Sequence, residues 1–113
     1  MPRREWKLYV QDILQAMAKI ERFTTGMNLA SFTSDEKTVD AVLRNIAVIG
    51  EAARHVPEDV QRRHPAVPSA EMRAIRNVVH EYFGVSLPIL WHTVNSDLPP
   101  LVPLLEEVLQ AEG

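Results

Sequence analysis

The stretch RAIRNVVHEYF, residues 73–83, threads Arg73, Arg76, Asn77, His80 and Tyr82 through apolar residues. On a helix each residue advances by about 100°, so Arg76 and His80, four apart, share a face, and Arg73 lies only about 20° from His80. Asn77 borders the same stripe. A guanidinium is a permanent, forked binder of phosphate, and an imidazole is the side chain whose ordinary pKa suits proton transfer near neutrality. Those are the needs of metal-free RNA cleavage. A base takes the 2′-hydroxyl proton, an acid protonates the departing 5′-oxygen, and a cation stabilises the phosphorane. A plainer arrangement fits the same residues: Arg76 pairs with Glu71 or Glu81, and His80 caps a groove between helices. Spacing alone favours the plainer one.

The charge pattern adds to the case. The 113-residue chain carries a formal charge of −3, too acidic to clamp nucleic acid along a long basic track. Between Ala52 and His80, however, five arginines (54, 62, 63, 73, 76) and three histidines (55, 64, 80) face three acids, Glu58, Asp59 and Glu71. This middle segment is expected to form a local anion site. There is no cysteine, which removes disulfides and thiolate metal sites and fits a reducing cytoplasm. No basic–apolar leader opens the sequence and no apolar run reaches the roughly 18 residues that span a bilayer, so a cytoplasmic protein without a membrane segment is expected. A glycine-rich phosphate loop, a nucleophile elbow and an HExxH pair are all missing. His55 and His64, near helix ends, are expected at the surface beside carbonyls rather than on a metal; His92, beside Trp91, is expected packed or half-exposed.

The elements that must carry this stretch are helical. Trp6, Leu8, Tyr9, Ile13, Met17, Ile20 and Phe23 recur at three- and four-residue steps, predicting an amphipathic helix from about Glu5 to Thr24, ended by Gly26 and Asn28. Thr33 with Glu36 reads as a capping box for a second helix running to about His55, with Val39, Val42, Leu43, Ile46, Ile49 and Ala53 as its stripe. Pro57 opens a short helix, PEDVQRRH, closed by Pro65. Pro68 and Ser69 open the motif helix, with Met72, Ile75, Val79 and Phe83 as its apolar line and Gly84 as its stop. Two helical pieces follow, the second capped by Asn95, Ser96 or Asp97, with Pro99, Pro100 and Pro103 in or near its first turn. No strand pattern or repeat is present. The predicted fold is an all-α, up-and-down bundle of four long helical segments plus a short helix, in one domain over residues 1–113. Leu87, Ile89, Leu90 and Trp91 exceed what so small a bundle readily covers, which predicts a homodimer.

RNVVHEYF, followed by GVSLPILWHTVNSDLPPLVPLLEEVL, resembles the C-terminal half of the HepT-type HEPN toxins. Upstream, LRNIAVIGEAARHVPEDVQRRHPAVP resembles that family's second helix and the loop after it. The resemblance covers nearly the whole chain, the first helix least specifically. It implies an all-α HEPN-type bundle that forms homodimers and cleaves RNA without a metal or cofactor, as the RNase toxin of a toxin–antitoxin pair. It also implies a partner, an MntA-type nucleotidyltransferase antitoxin that attaches AMP to the motif's tyrosine. The family's hallmark is Arg, four to six residues, then His, often followed by x-Tyr. By position, the histidine is His80, the tyrosine Tyr82, and the arginine Arg76, with Asn77 after it.

The chain departs from this pattern at one point. Three residues, Asn77, Val78 and Val79, separate Arg76 from His80, where the family has at least four; Arg73 to His80 has six. A one-residue loss in a helix turns one side by about 100° against the other, so the spacing carries an expectation of impaired activity unless Arg73 substitutes. The roles expected are acid/base for His80, phosphate and transition-state binding for Arg76 with Arg73 in support, positioning for Asn77, and AMP acceptance for Tyr82. One histidine serves poorly as base and acid together, which favours a site shared between two protomers, each giving one His80. The rival expectation is a non-catalytic helical subunit that docks a nucleotidyltransferase.

Overall fold

The computed structural model describes residues 4–75 and 86–113. Among these residues the order is α1 (Trp6–Thr24), α2 (Leu29–Thr33), α3 (Glu36–Ala53), α4 (Glu58–Arg63), α5 (Ser69–Ala74), α6 (Leu87–His92), a π-helical turn (Thr93–Asp97) and α7 (Leu101–Glu112), with no strand. The all-α bundle expected from the sequence is what the described residues form.

The bundle is organised around α1 and α3, which pack along each other. Val10, Ile13, Met17 and Ile20 of α1 and Val39, Val42, Leu43, Ile46, Ile49 and Ala53 of α3 are buried, each set at helical spacing. The predicted α3 stripe is therefore reproduced residue for residue. The α1 stripe needs correction at its ends: Leu8 is 40% exposed and Phe23 39%. Leu8 lies about 140° around the helix from Ile13, so it cannot face α3 with it. Two buried polar groups are answered locally, Thr24 by donating its Oγ1 hydrogen to the Ile20 carbonyl at 2.8 Å and Asn45 by donating from Nδ2 to the Ala41 carbonyl at 2.8 Å.

Between α1 and α3 the chain inserts a short helix. Gly26 takes φ +78°, the left-handed geometry expected after a helix end. Asn28 does not: it is the N-cap of α2, accepting from Ser31 N at 2.8 Å while Ser31 Oγ accepts from Asn28 N at 2.9 Å. Thr33 is correspondingly the last residue of α2 and not a cap; Asp35 caps α3, accepting from the Thr38 backbone N–H at 3.1 Å. An aspartate in that place both accepts the free N–H and sits favourably at the positive helix end, so it prevails over the threonine two residues earlier. This extra helix lets α2 seat Phe32, fully buried, against Trp91 of α6, ring centroids 4.9 Å apart.

The C-terminal half also differs in detail from the expectation. Asn95, Ser96 and Asp97 cap nothing. They belong to the π-helical turn, closed by Leu98 N donating to the Thr93 carbonyl at 3.1 Å, with Asn95 Nδ2 donating back to the Trp91 carbonyl at 2.9 Å. Pro100 precedes α7, and Pro103 falls in its first turn, where a missing N–H costs no hydrogen bond. The surface apolar residues expected beyond the motif are mostly core: Leu90 is fully buried, Leu87 and Trp91 pack on the core, and only Ile89, at 63%, is exposed.

Candidate active site

The motif helix starts as expected at Ser69, after a turn in which Val67 N donates to the His64 carbonyl at 3.1 Å. Met72 is buried and Ile75 packs on the core, so α5 lies against α3. Arg73 is the one predicted site residue within the described part of the chain. Arg76, Asn77, His80 and Tyr82 lie outside the described residues, as do Val79, Phe83 and Gly84.

Arg73 is half-buried, and its Nη1 donates to Gln61 Oε1 on α4 at 3.0 Å. Gln61 is held in turn, donating from Nε2 to the Val56 carbonyl at 2.9 Å, and the neighbouring Val60 is buried. Across from α5, residues Thr93, Asp97 and Leu98 of the π-helical region and Leu101 of α7 line a groove with Pro68, Glu71, Met72 and Ile75. The helix that opens the motif thus borders a cleft of mixed polarity.

The electrostatics of the basic middle segment are narrower than the sequence suggested. Arg54 pairs with Glu51 at 3.3 Å. Arg63 donates from Nη1 to Asp59 at 3.0 Å and from Nε and Nη2 to Glu112 at 3.0 and 2.7 Å. His64 Nε2 lies 2.9 Å from Glu112 Oε2, the oxygen that also accepts from Arg63 Nε. The hydrogen bonds from Arg63, then His64, pull the Glu112 carboxyl down to about 2, and Arg63 likewise holds Asp59 below the usual range, while its own pKa is raised. Much of the expected anion site is therefore internally neutralised. Arg62 and Arg73 are the arginines of this stretch that meet no carboxylate among the described residues.

Of the described histidines, His55 lies at the surface as expected, while His64 and His92 depart from the expectation. His64 is mostly buried and bonded to a carboxylate, not a surface residue beside carbonyls. His55 stacks on Tyr9, centroids 4.3 Å apart and planes within 13°, with its Nε2 3.8 Å from Glu51. His92 is largely exposed, 3.7 Å from Asp97, rather than packed or half-exposed. Among the described residues no group of three His, Asp or Glu side chains converges in a way that could hold a metal ion. Nor is any described helix long and apolar enough to cross a membrane. Gln61 and Glu112 were invisible to sequence reasoning, since a neutral amide twelve positions from Arg73 and an acid 49 positions from Arg63 carry no local signal.

Comparison with known proteins agrees with this architecture. The sequence model of the family described as "Ribonuclease HepT-like" matches residues 13–108. The chain is 40% identical over 107 residues to a Thermococcus cleftensis protein named "Probable ribonuclease HepT", covering 94% of this chain and 97% of that one. It is 36% identical over 111 residues to a Methanocaldococcus jannaschii protein provisionally named an RNase, covering 97% and 92%. A Caldanaerobacter subterraneus protein, also provisionally named an RNase, is 32% identical over 105 residues, covering 92% and 94%. No solved structure matches. With a helical bundle of the expected order and a match across most of its length, the chain belongs to the HepT-like ribonuclease family.

Proposed function

We propose that this protein is a HepT-like endoribonuclease, the RNase toxin of a toxin–antitoxin pair, acting on RNA without a metal ion. The observation that carries the reading is the family match over residues 13–108, which spans the Arg, Asn, His and Tyr set at positions 76, 77, 80 and 82. His80 serves as the general acid/base, Arg76 binds the phosphate and the phosphorane with Arg73 in support, and Asn77 orients them. The base takes the 2′-hydroxyl proton, O2′ attacks phosphorus, and the P–O5′ bond breaks as the leaving oxygen is protonated. The products are a 2′,3′-cyclic phosphate and a 5′-hydroxyl. Two protomers supply the two histidines that base and acid require. An MntA-type nucleotidyltransferase antitoxin neutralises the enzyme by transferring AMP to Tyr82, within a single HepT-like domain spanning the chain.

The short interval between Arg76 and His80 favours one second reading, a non-catalytic helical subunit that docks the nucleotidyltransferase. Product chemistry separates the two. Purified protein in EDTA should convert RNA to fragments ending in 2′,3′-cyclic phosphate and leave the 2′-O-methyl version of the same RNA intact. Equal degradation of both, or of neither, removes the ribonuclease reading.

A further inference from the structure

The described arginines of the basic middle segment are held in two ways. Arg54 and Arg63 are answered by carboxylates, so their charge is balanced within the chain. Arg73 is gripped by a neutral amide, the Oε1 of Gln61 at 3.0 Å, and meets no carboxylate among the described residues. A guanidinium has five N–H donors, and this contact uses one of them. A half-buried cation with most donors unspent among the described residues is suited to an anion, which would complete both its charge and its hydrogen bonding. Gln61 is itself fixed, donating to the Val56 carbonyl at 2.9 Å from a helix anchored by the buried Val60. Arg73 therefore surrenders its rotamer freedom on folding rather than on binding. Six residues separate it from His80.

We propose that Gln61 is a positioning residue that presents the Arg73 guanidinium, uncompensated, to a phosphate of RNA. This makes Arg73 a phosphate contact in its own right beside Arg76, three residues on, and it rests on the ribonuclease reading above. An acid at position 61 would hold Arg73 equally well and cancel its charge; an amide holds it and leaves the charge free.

The test uses the full chain and a single-stranded 2′-O-methyl RNA, which binds without being cut. Affinity is measured by fluorescence anisotropy over a range of salt concentrations. Each phosphate contact adds about 0.7 to the slope of log affinity against log salt for a single strand. Arg73→Gln keeps a hydrogen-bonding side chain toward Gln61; it should weaken binding about tenfold and lower the slope by about that increment. Gln61→Glu should do the same, with the double variant no worse than Arg73→Gln. A purely structural role would leave the slope unchanged. Wild-type slope and affinity in Arg73→Gln overturn the proposal whatever Gln61→Glu does, and so does failure of the wild-type protein to bind this RNA. Cleavage of the matching unmodified RNA is scored separately, so loss of the ribonuclease reading shows up as binding without cleavage.

Discussion

Arg63 and Glu112 stand 49 positions apart and meet as a two-point pair, Nε and Nη2 donating to the two carboxylate oxygens at 3.0 and 2.7 Å. Through this pair, with His64 on the same carboxylate, the end of α7 is fastened to α4, which also carries Gln61 and so Arg73. A carboxylate whose folded pKa of about 2 lies below its ordinary 4.5 binds fewer protons in the native state. Its contribution to stability is complete above about pH 4.5 and is lost as the pH falls toward 2. Glu112→Gln should therefore lower Tm at pH 7 and shrink the fall in Tm between pH 4.5 and 2. Asp12, bonded by Arg4, Asp35, bonded by Thr38, and Asp59, bonded by Arg63, are also held low, so the fall shrinks without vanishing. An unchanged acid profile in Glu112→Gln would show that the clamp is not formed in solution.

Phe32 joins α2 to α6 through Trp91, and it is fully buried. Phe32→Ala should cost about 3–5 kcal/mol, the usual range for emptying a buried aromatic site. That is a large part of the stability of a small protein. Urea denaturation checks it: the midpoint should drop sharply while the slope is unchanged. A loss within about 0.5 kcal/mol, as for an uninvolved surface residue, would mean that α2 does not seat there.

The cap of α3 gives a sharper local test. Asp35 accepts from the backbone N–H of Thr38 at 3.1 Å, whereas Thr33 ends the preceding helix. Removing an N-cap destabilises a helix, and removing a threonine that caps nothing does little. Asp35→Ala should lower Tm by more than Thr33→Ala; the reverse order in thermal melts would restore Thr33 as the cap.

A composite site requires two chains. Sedimentation at micromolar concentration should give twice the 12.8 kDa chain mass. Of the four apolar residues behind the dimer expectation only Ile89 is exposed, since Leu90 is core and Leu87 and Trp91 are partly buried against it. A monomer at these concentrations, still able to cleave RNA, would show that one His80 suffices.

What the sequence made legible was whatever repeats at helical spacing. The α3 stripe from Val39 to Ala53 is legible because every member is buried at helical spacing, with α1 packed along the helix and α5 and α2 against it as well. Leu8 and Phe23 broke the pattern because α1 is amphipathic over a narrower arc than its apolar residues cover. The α2 helix was missed because it is five residues long, too short for a stripe, and its cap reads equally well as the end of α1. The π-helical turn was missed for a related reason: Asn95, Ser96 and Asp97 are good capping residues, and only tertiary packing decides that Asn95 bonds backward to Trp91 instead. At the site, residue types exposed the Arg and His set, but how each arginine is answered depends on acids and amides brought from elsewhere in the chain. Glu112 and Gln61 are the examples.

The central claim is that His80 is the acid/base of an RNA-cleaving site, and its most direct test is the rate of RNA cleavage by His80→Ala beside the wild-type protein, in EDTA, at matched folded concentration. General acid/base catalysis contributes about 100- to 10,000-fold, so the variant should lose at least about 100-fold in kcat/KM. Its Tm should stay close to that of the wild type. A variant that keeps its fold and cleaves at the wild-type rate would contradict the account.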